Sequence, residues 1–247
     1  MMVSRSLIKL SSIGSFPIIA KICFFTYGCG IEDSDIKKPL AIGDEYFKKE
    51  QFGKAVGAYR LALHKDSLNY VIWGRLAKAY SAQGNKNAAD VYLKKSTSGF
   101  LRAGQDAIDS GSDSLAQTYY SNLLELDPLN PMAYVFLGDI YYRSGDTSKA
   151  LSSYLSAVKI DSANYNTWFR LGEVYRKSMN NISAANAYKK AIQININSYL
   201  SYMALGSIYL ADNKLVLAKN SYQKALLVKP DLVSAQSALE YINDQMK

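Results

Sequence analysis

The sequence predicts an all-α fold, a solenoid of helix pairs stacked one behind another. Two observations carry this. A set of aromatic, aliphatic and small residues recurs with a period of 34, and within each recurrence the apolar positions fall three and four apart, along one face of a helix. The clearest copy, Pro131–Asn164, has Tyr134, Leu137, Gly138, Tyr141, Ala150, Tyr154 and Ala157. The next has Trp168, Leu171, Gly172, Tyr175, Ala184, Tyr188 and Ala191, and the one after it Tyr202, Leu205, Gly206, Tyr209, Ala218, Tyr222, Ala225 and Pro230.

This W-x2-L-G-x2-Y…A-x3-F…P arrangement at a period of 34 resembles the tetratricopeptide repeat. The resemblance implies a right-handed α-solenoid of about six helix pairs plus a C-terminal capping helix, growing by stacking around no single central core. Carried back from Pro131, the register places repeats at 36–69, 70–96, 97–130, 131–164, 165–198 and 199–232, with the capping helix at 233–247. Positions within a repeat are numbered below as slots 1 to 34.

Each repeat reads as two helices. In the first, Ile42, Gly43, Tyr46, Ala55, Tyr59 and Ala62 fill the signature slots, and Pro39 fits the start of a helix, where its missing N–H costs nothing. The second has Trp73, Leu76, Ala77, Tyr80, Ala89 and Leu93; the third has Phe100, Ala103, Gly104, Ala107, Ala116, Tyr120 and Leu123. Small residues at slots 8 and 20 let paired helices approach, since larger ones would force the backbones apart. Gly84-Asn85, Gly111-Ser112-Asp113, Gly145-Asp146 and Asp212-Asn213 combine left-handed-tolerant residues with capping groups between helices. Pro128 and Pro230 close two repeats. Asp127, Asp161 and Asp231 fall at repeat boundaries, where capping accounts for them. Twelve of the 20 tyrosines occupy slots 4, 11 or 24, which makes them packing residues, as Trp73 and Trp168 are. In the last helix Leu232, Ala235, Leu239 and Ile242 point inward, leaving a polar outer face of the kind an open-ended stack needs.

One interval is irregular. Ala77 to Gly104 spans 27 residues, seven short of the period. Either the back helix turns at Ser96-Thr97-Ser98-Gly99 or it runs on into the next helix; Gly and Ser favour the turn.

The first 28 residues differ from the rest. Arg5 and Lys9 precede an apolar stretch that runs, with Lys21 and Pro17 interrupting it, to Gly28 and Cys29. This reads as a signal peptide over 1–28, not as a spanning helix. Thr26-Tyr27-Gly28-Cys29 resembles a bacterial lipobox, which implies lipidation of Cys29 and a tether over 29–35. Thr26, Tyr27 and Lys21 depart from that pattern. The chain's formal net charge is +8. Lys94-Lys95 and Lys189-Lys190 lie on an expected outer face, which reads as a solvated surface and excludes a nucleic-acid footprint. With two cysteines, both near the N-terminus, neither a disulfide framework nor a zinc quartet can be built.

No catalytic residue, cofactor site or metal site is expected. His64, the one histidine, falls near the end of a back helix without a defined partner. No HExxH, phosphate loop, nucleophile elbow or dinucleotide fingerprint appears. In the tetratricopeptide family partner contacts often come from front-helix slots 2, 5, 9, 12 and 13. The resemblance therefore implies a partner groove at Met132, Val135, Asp139, Tyr142, Arg143, Phe169, Glu173, Arg176, Lys177, Leu200, Met203 and Leu210. The Lys/Asn clamp of the chaperone-tail subgroup is missing. Packing of the apolar members against neighbouring repeats is an equal alternative at this point.

The layout is similar to pilus-assembly outer-membrane lipoproteins and to other tetratricopeptide lipoproteins of the envelope. It implies a non-enzymatic protein–protein interaction scaffold in the cell envelope, membrane-anchored through Cys29 and binding another protein. A cytoplasmic adaptor without export is the alternative.

Overall fold

The computed structural model describes residues 33–247. The signal peptide, Cys29 and the stretch up to residue 32 lie outside the described residues. Among the described residues there are twelve α-helices and no strand. They divide into two compact bodies, one ending at Asp90 and one beginning at Val91.

The first body holds α1 (Asp33–Lys48), α2 (Phe52–Lys65), α3 (Tyr70–Ala82) and the opening residues of α4 (Lys86–Asp109). Helix α2 packs on α1 and α3, burying Ala55, Tyr59, Ala62, Ile72 and Leu76. Because α1 begins at Asp33, the polar run read as tether is already helical from that residue onward, and Pro39 lies inside the helix instead of at its start. One backbone bond of the early turns is thereby lost. Ile42, given a core slot by the register, is 40% exposed.

The second body continues with α5 (Asp113–Leu126), α6 (Pro131–Ser144), α7 (Thr147–Ile160), α8 (Tyr165–Lys177), α9 (Asn181–Ile194), α10 (Tyr199–Ala211), α11 (Leu215–Val228) and α12 (Val233–Gln245). Each helix from α5 onward packs on the next in the series. The front helices are α6, α8 and α10, and the back helices are α5, α7, α9 and α11. Helix α12 lies on α11 and buries Ala235 and Ile242 against Ala218 and Tyr222.

A close approach at slots 8 and 24 sets the spacing within a pair. A Cβ built on Gly43, Gly104, Gly138 or Gly172 would stand 2.4–2.6 Å from a ring carbon of Tyr59, Tyr120, Tyr154 or Tyr188 respectively. No real contact is that short, so the phenol ring lies directly on bare backbone. At Gly206 the distance to Tyr222 is 3.1 Å. In the second repeat the two slots change together, to Ala77 and Leu93.

The turn inside every pair passes through one left-handed residue, always at slot 15: Glu50, Gly84, Gly111, Gly145, Met179 and Asn213, with φ between 54° and 85°. Glycine takes this conformation without a Cβ penalty. Between pairs, Asn69, Asn130 and Asn164 cap the next front helix by accepting backbone N–H bonds. The boundary aspartates do a different job from the one expected. Asp127 accepts from Asn130 Nδ2 at 3.1 Å and Asp161 from the Ala163 N–H at 3.0 Å. Asp127 orients the capping Asn130, Asp161 shapes its loop, and both stand at the C-terminal ends of the preceding helices without opening the next one.

The irregular interval resolves against the turn. Helix α4 runs unbroken through Ser96–Gly99 for 24 residues. Ala89, Leu93, Ser96, Phe100, Gly104 and Ala107 are spaced 4, 3, 4, 4 and 3 apart, so the inward stripe never breaks phase. Seven missing residues are close to two turns at about 3.6 residues each. The Ser98 hydroxyl donates to the Lys94 carbonyl at 2.9 Å, satisfying itself within the helix. The cost of a single interior glycine, about 1 kcal/mol, is too small to stop a helix whose buried face is continuous.

Gly172→Ala is expected to destabilise the chain by about 1–3 kcal/mol through overpacking. Adding Tyr188→Leu, the pairing found at Ala77 and Leu93, should recover part of that loss. Denaturant titration of the two single variants and the double variant checks this; strictly additive losses would refute the close-approach account.

Candidate functional site

The front helices of the second body bring the groove residues to one side, and the structure sorts them into three groups. Val135 is buried and belongs to the core with Tyr154, Leu171 and Val174. Phe169 packs against Tyr188 at 5.7 Å between ring centroids, and Met203 and Leu210 pack against the cluster under α12. These apolar residues hold helices together. Met132 and Leu200, both in slot 2, are exposed.

The slot 9 carboxylates are tied up. The Tyr154 hydroxyl donates to Asp139 Oδ1, and Arg170, one repeat further on, donates to the same oxygen. The Tyr188 hydroxyl donates to Glu173, which also binds Arg176 through Oε2 at 2.8 Å. The first body repeats the device: the Tyr59 hydroxyl donates to Asp44 Oδ1 at 2.8 Å while Arg75 binds Oδ2. The slots are constant. A slot 24 phenol and a slot 6 arginine of the following repeat meet on a slot 9 acid, so Tyr154–Asp139–Arg170 and Tyr59–Asp44–Arg75 are one motif seen twice. Neither arginine was singled out from the sequence. The signal that finds them is the pair of 31-residue spacings from Asp44 to Arg75 and from Asp139 to Arg170.

The third repeat lacks the acid. Gln105 fills slot 9 and donates its amide to Asp109 at 2.8 Å. The Tyr120 hydroxyl is buried and has no hydrogen-bond partner among the described residues. In place of arginine, Phe136 stacks on the Tyr120 ring at 4.9 Å with 14° between planes.

Burial dominates the proton affinities here. It pushes the Tyr120 phenol up to about 12 and holds Tyr59, Tyr154 and Tyr188 well above the ordinary phenol range, with the neighbouring carboxylates adding to the effect. Asp139 is also raised by burial, against the opposing pull of Tyr154 and Arg170.

The cations form the accessible part of the site. Arg143 pairs with Asp113 at 2.6 Å, both exposed. Arg176 projects from the last turn of α8, its guanidinium held charged by the Glu173 hydrogen bond. Lys177 lies 4.6 Å from the centroid of Tyr142 and donates to the Tyr142 carbonyl at 3.2 Å. Lys177 and Tyr142 thus join α8 to α6 and still present charge and ring to a ligand. His64 is exposed in the last turn of α2. Among the described residues no three His, Cys, Asp or Glu side chains gather as a metal would need, and no helix is long and apolar enough to cross a membrane.

Family profiles match the chain in four stretches. One described as TPR repeat covers residues 138–178, and one described as tetratricopeptide repeat covers 70–98, 165–195 and 199–232. The chain therefore carries tetratricopeptide repeats. It is similar to the DnaJ homolog subfamily C member 3 of Gallus gallus, with 29% identity over 108 residues. That match takes in 41% of this chain and 21% of the relative, so it spans about a fifth of the relative's length. Among solved structures, the chain resembles the APC/C hetero-tetramer Cut9-Hcn1 (TM-score 0.53, 18% identity, 91% of this chain and 45% of that one). It also resembles the C-terminal part of a TPR repeat-containing protein from Cytophaga hutchinsonii (TM-score 0.51, 19% identity, 83% of this chain and 85% of that one). At these identities the likeness shows the fold: all-helical, of the tetratricopeptide solenoid class.

The two kinds of slot 24 tyrosine predict opposite responses to loss of the hydroxyl. Tyr154→Phe removes a bond to a carboxylate and should cost about 1.5–3 kcal/mol. Tyr120→Phe removes an unsatisfied polar group and should be neutral or stabilising by about 1 kcal/mol. Equal effects in denaturant titration would contradict the assignment.

The raised phenols also set an alkaline limit. In the unfolded chain they ionise near pH 10, while the folded chain keeps its protons to higher pH. Their contribution is complete below about pH 10 and is lost as pH rises above it. Tyrosinate absorbance should therefore appear in two steps, the second coincident with loss of helix by circular dichroism; one step with helix retained would contradict it.

Proposed function

We propose that this tetratricopeptide-repeat chain is a non-enzymatic protein–protein interaction scaffold, exported and lipid-anchored through Cys29. It holds a peptide or envelope protein on the front-helix side of its second body and assists assembly of an envelope complex. Support for export and anchoring comes from the sequence of residues 1–29: a basic start, an apolar stretch and a small residue before cysteine. Support for partner binding comes from the repeats and from what their front helices leave accessible.

The observation that carries the binding reading is the split along those helices. Met132 and Leu200 expose aliphatic surface at slot 2, while Arg143, Arg176 and Lys177 project from the last turns of α6 and α8. The slot 9 acids are engaged by tyrosine and arginine, and of the three cations Arg143 and Arg176 are paired with Asp113 and Glu173, leaving Lys177 without a carboxylate partner among the described residues. A segment with an apolar anchor at one end and acidic groups at the other complements this face.

A photoreactive amino acid placed at Met132 or Leu200 should yield a discrete cross-linked adduct in cells. The same probe at Ser152 on a back helix should not yield that adduct. Arg143→Gln with Lys177→Gln, which leaves the Arg176–Glu173 pair intact, should weaken it markedly with helicity unchanged. Persistence of the adduct at the parent level in that variant would refute the groove. Incorporated palmitate should be lost in Cys29→Ala; a parent chain that takes up no label would instead favour the cytoplasmic adaptor.

A further inference from the structure

The back helices of the second body carry an asymmetry that the partner groove does not explain. Helices α7, α9 and α11 contain no Asp or Glu in three 14-residue segments, whereas the back helix before them, α5, contains Asp113 and Glu125. Their inward slots are 20, 24 and 27. At about 100° per residue, slots 18, 22, 25, 26 and 29 point the opposite way. Those outward slots hold Lys159, Lys189, Lys190 and Lys224, all exposed. None of the four pairs with a carboxylate among the described residues; Lys189 lies over the ring of Tyr209 and Lys224 over that of Tyr202, each 5.8 Å from the centroid. The carboxylates nearest in sequence stand at helix ends: Asp146 caps α7 and binds Lys149, Asp212 binds Lys214, and Asp161 and Asp231 lie in the connecting loops.

Aliphatic side chains are interspersed among these lysines. Ile182 is 80% exposed, Val216 60% and Leu227 83%, in slots 18, 18 and 29. A face built only for solvation mixes charges of both signs and keeps such residues down. A nucleic-acid groove has no use for isolated branched aliphatics beside lysine. A lipid surface uses both: lysines meet anionic headgroups while short aliphatic chains enter the interfacial layer.

We propose that the outward face of α7, α9 and α11 docks on an anionic phospholipid bilayer. In that pose the front helices α6, α8 and α10, on the opposite side of the same body, turn away from the lipid and remain free for a partner. The contact is made by folded helices and does not depend on a lipid attached to Cys29.

The test uses the full chain carrying Cys29→Ala, so that no acyl anchor contributes. Sedimentation with phosphatidylcholine vesicles is compared with vesicles containing about a third phosphatidylglycerol. Partitioning should rise strongly with the anionic lipid and fall with salt. Lys159, Lys189, Lys190 and Lys224 changed together to Glu should lose about a thousandfold of that partitioning, with unchanged helicity and melting temperature. Ile182→Ser with Leu227→Ser, at exposed positions that leave the core intact, should lose several-fold on vesicles and nothing on a short DNA duplex. Equal partitioning of the parent and the lysine variant overturns the proposal. So does binding of the duplex that resists salt better than binding of vesicles. Neither result bears on the groove cross-link or on palmitate labelling.

Discussion

A phenol ring resting on a bare stretch of facing backbone is the constraint from which the rest of this structure follows. The ring fits because slot 8 has no side chain. Its depth in turn fixes where the hydroxyl arrives: beside slot 9, one residue further along the same front helix. A buried hydroxyl needs a partner, and slot 9 supplies one in the form of Asp44, Asp139 or Glu173. The carboxylate so recruited is itself short of compensation. Arg75 and Arg170 reach it from the next repeat, and Arg176 reaches it from the same helix. A packing requirement between two helices thus becomes a polar connection between neighbouring repeats.

The same chain of cause reshapes the recognition face. Slots that carry partner contacts in related repeats are used here for internal cohesion, by carboxylate at slot 9 and by Val135, Phe169 and Met203 at slot 5. What is left for a ligand lies at the two ends of the front helices, aliphatic at the start and cationic at the finish. Cations at the finish also suit the negative end of each helix dipole, so Arg143, Arg176 and Lys177 serve the fold before any partner arrives.

Much of the architecture was legible because a period of 34 with spaced aromatics leaves few alternatives. Paired helices, the glycines of close approach and the turn glycines all follow from it. In helix α4 the local breakers Gly and Ser suggest a turn, but the run Ala89, Leu93, Ser96, Phe100, Gly104, Ala107 keeps its helical phase through them. Continuity of the buried stripe outweighs propensity. Asp139 and Glu173 were read as groove residues because slot 9 faces the partner in the family pattern. A tyrosine at slot 24 over a glycine at slot 8 is the cue that such an acid is already engaged. The boundary aspartates were given the cap because asparagine and aspartate are equivalent candidates by type, and only geometry separates the cap from its support.

The junctions of the second body differ in kind. Between the third and fourth repeats the stack of Phe136 on Tyr120 is joined by the exposed ion pair of Arg143 with Asp113; between the fourth and fifth the ion pair of Arg170 with a mostly buried Asp139 lies beside a shared apolar core; under α12 the cluster is aliphatic and aromatic. Dissolved ions weaken partly exposed charge pairs, whereas excluded anions such as sulfate tighten apolar contacts. Since each repeat leans only on its neighbours, ionic composition redistributes strength along the stack and does not raise or lower it evenly. The place where the second body first frays is a property of its surroundings as much as of its sequence.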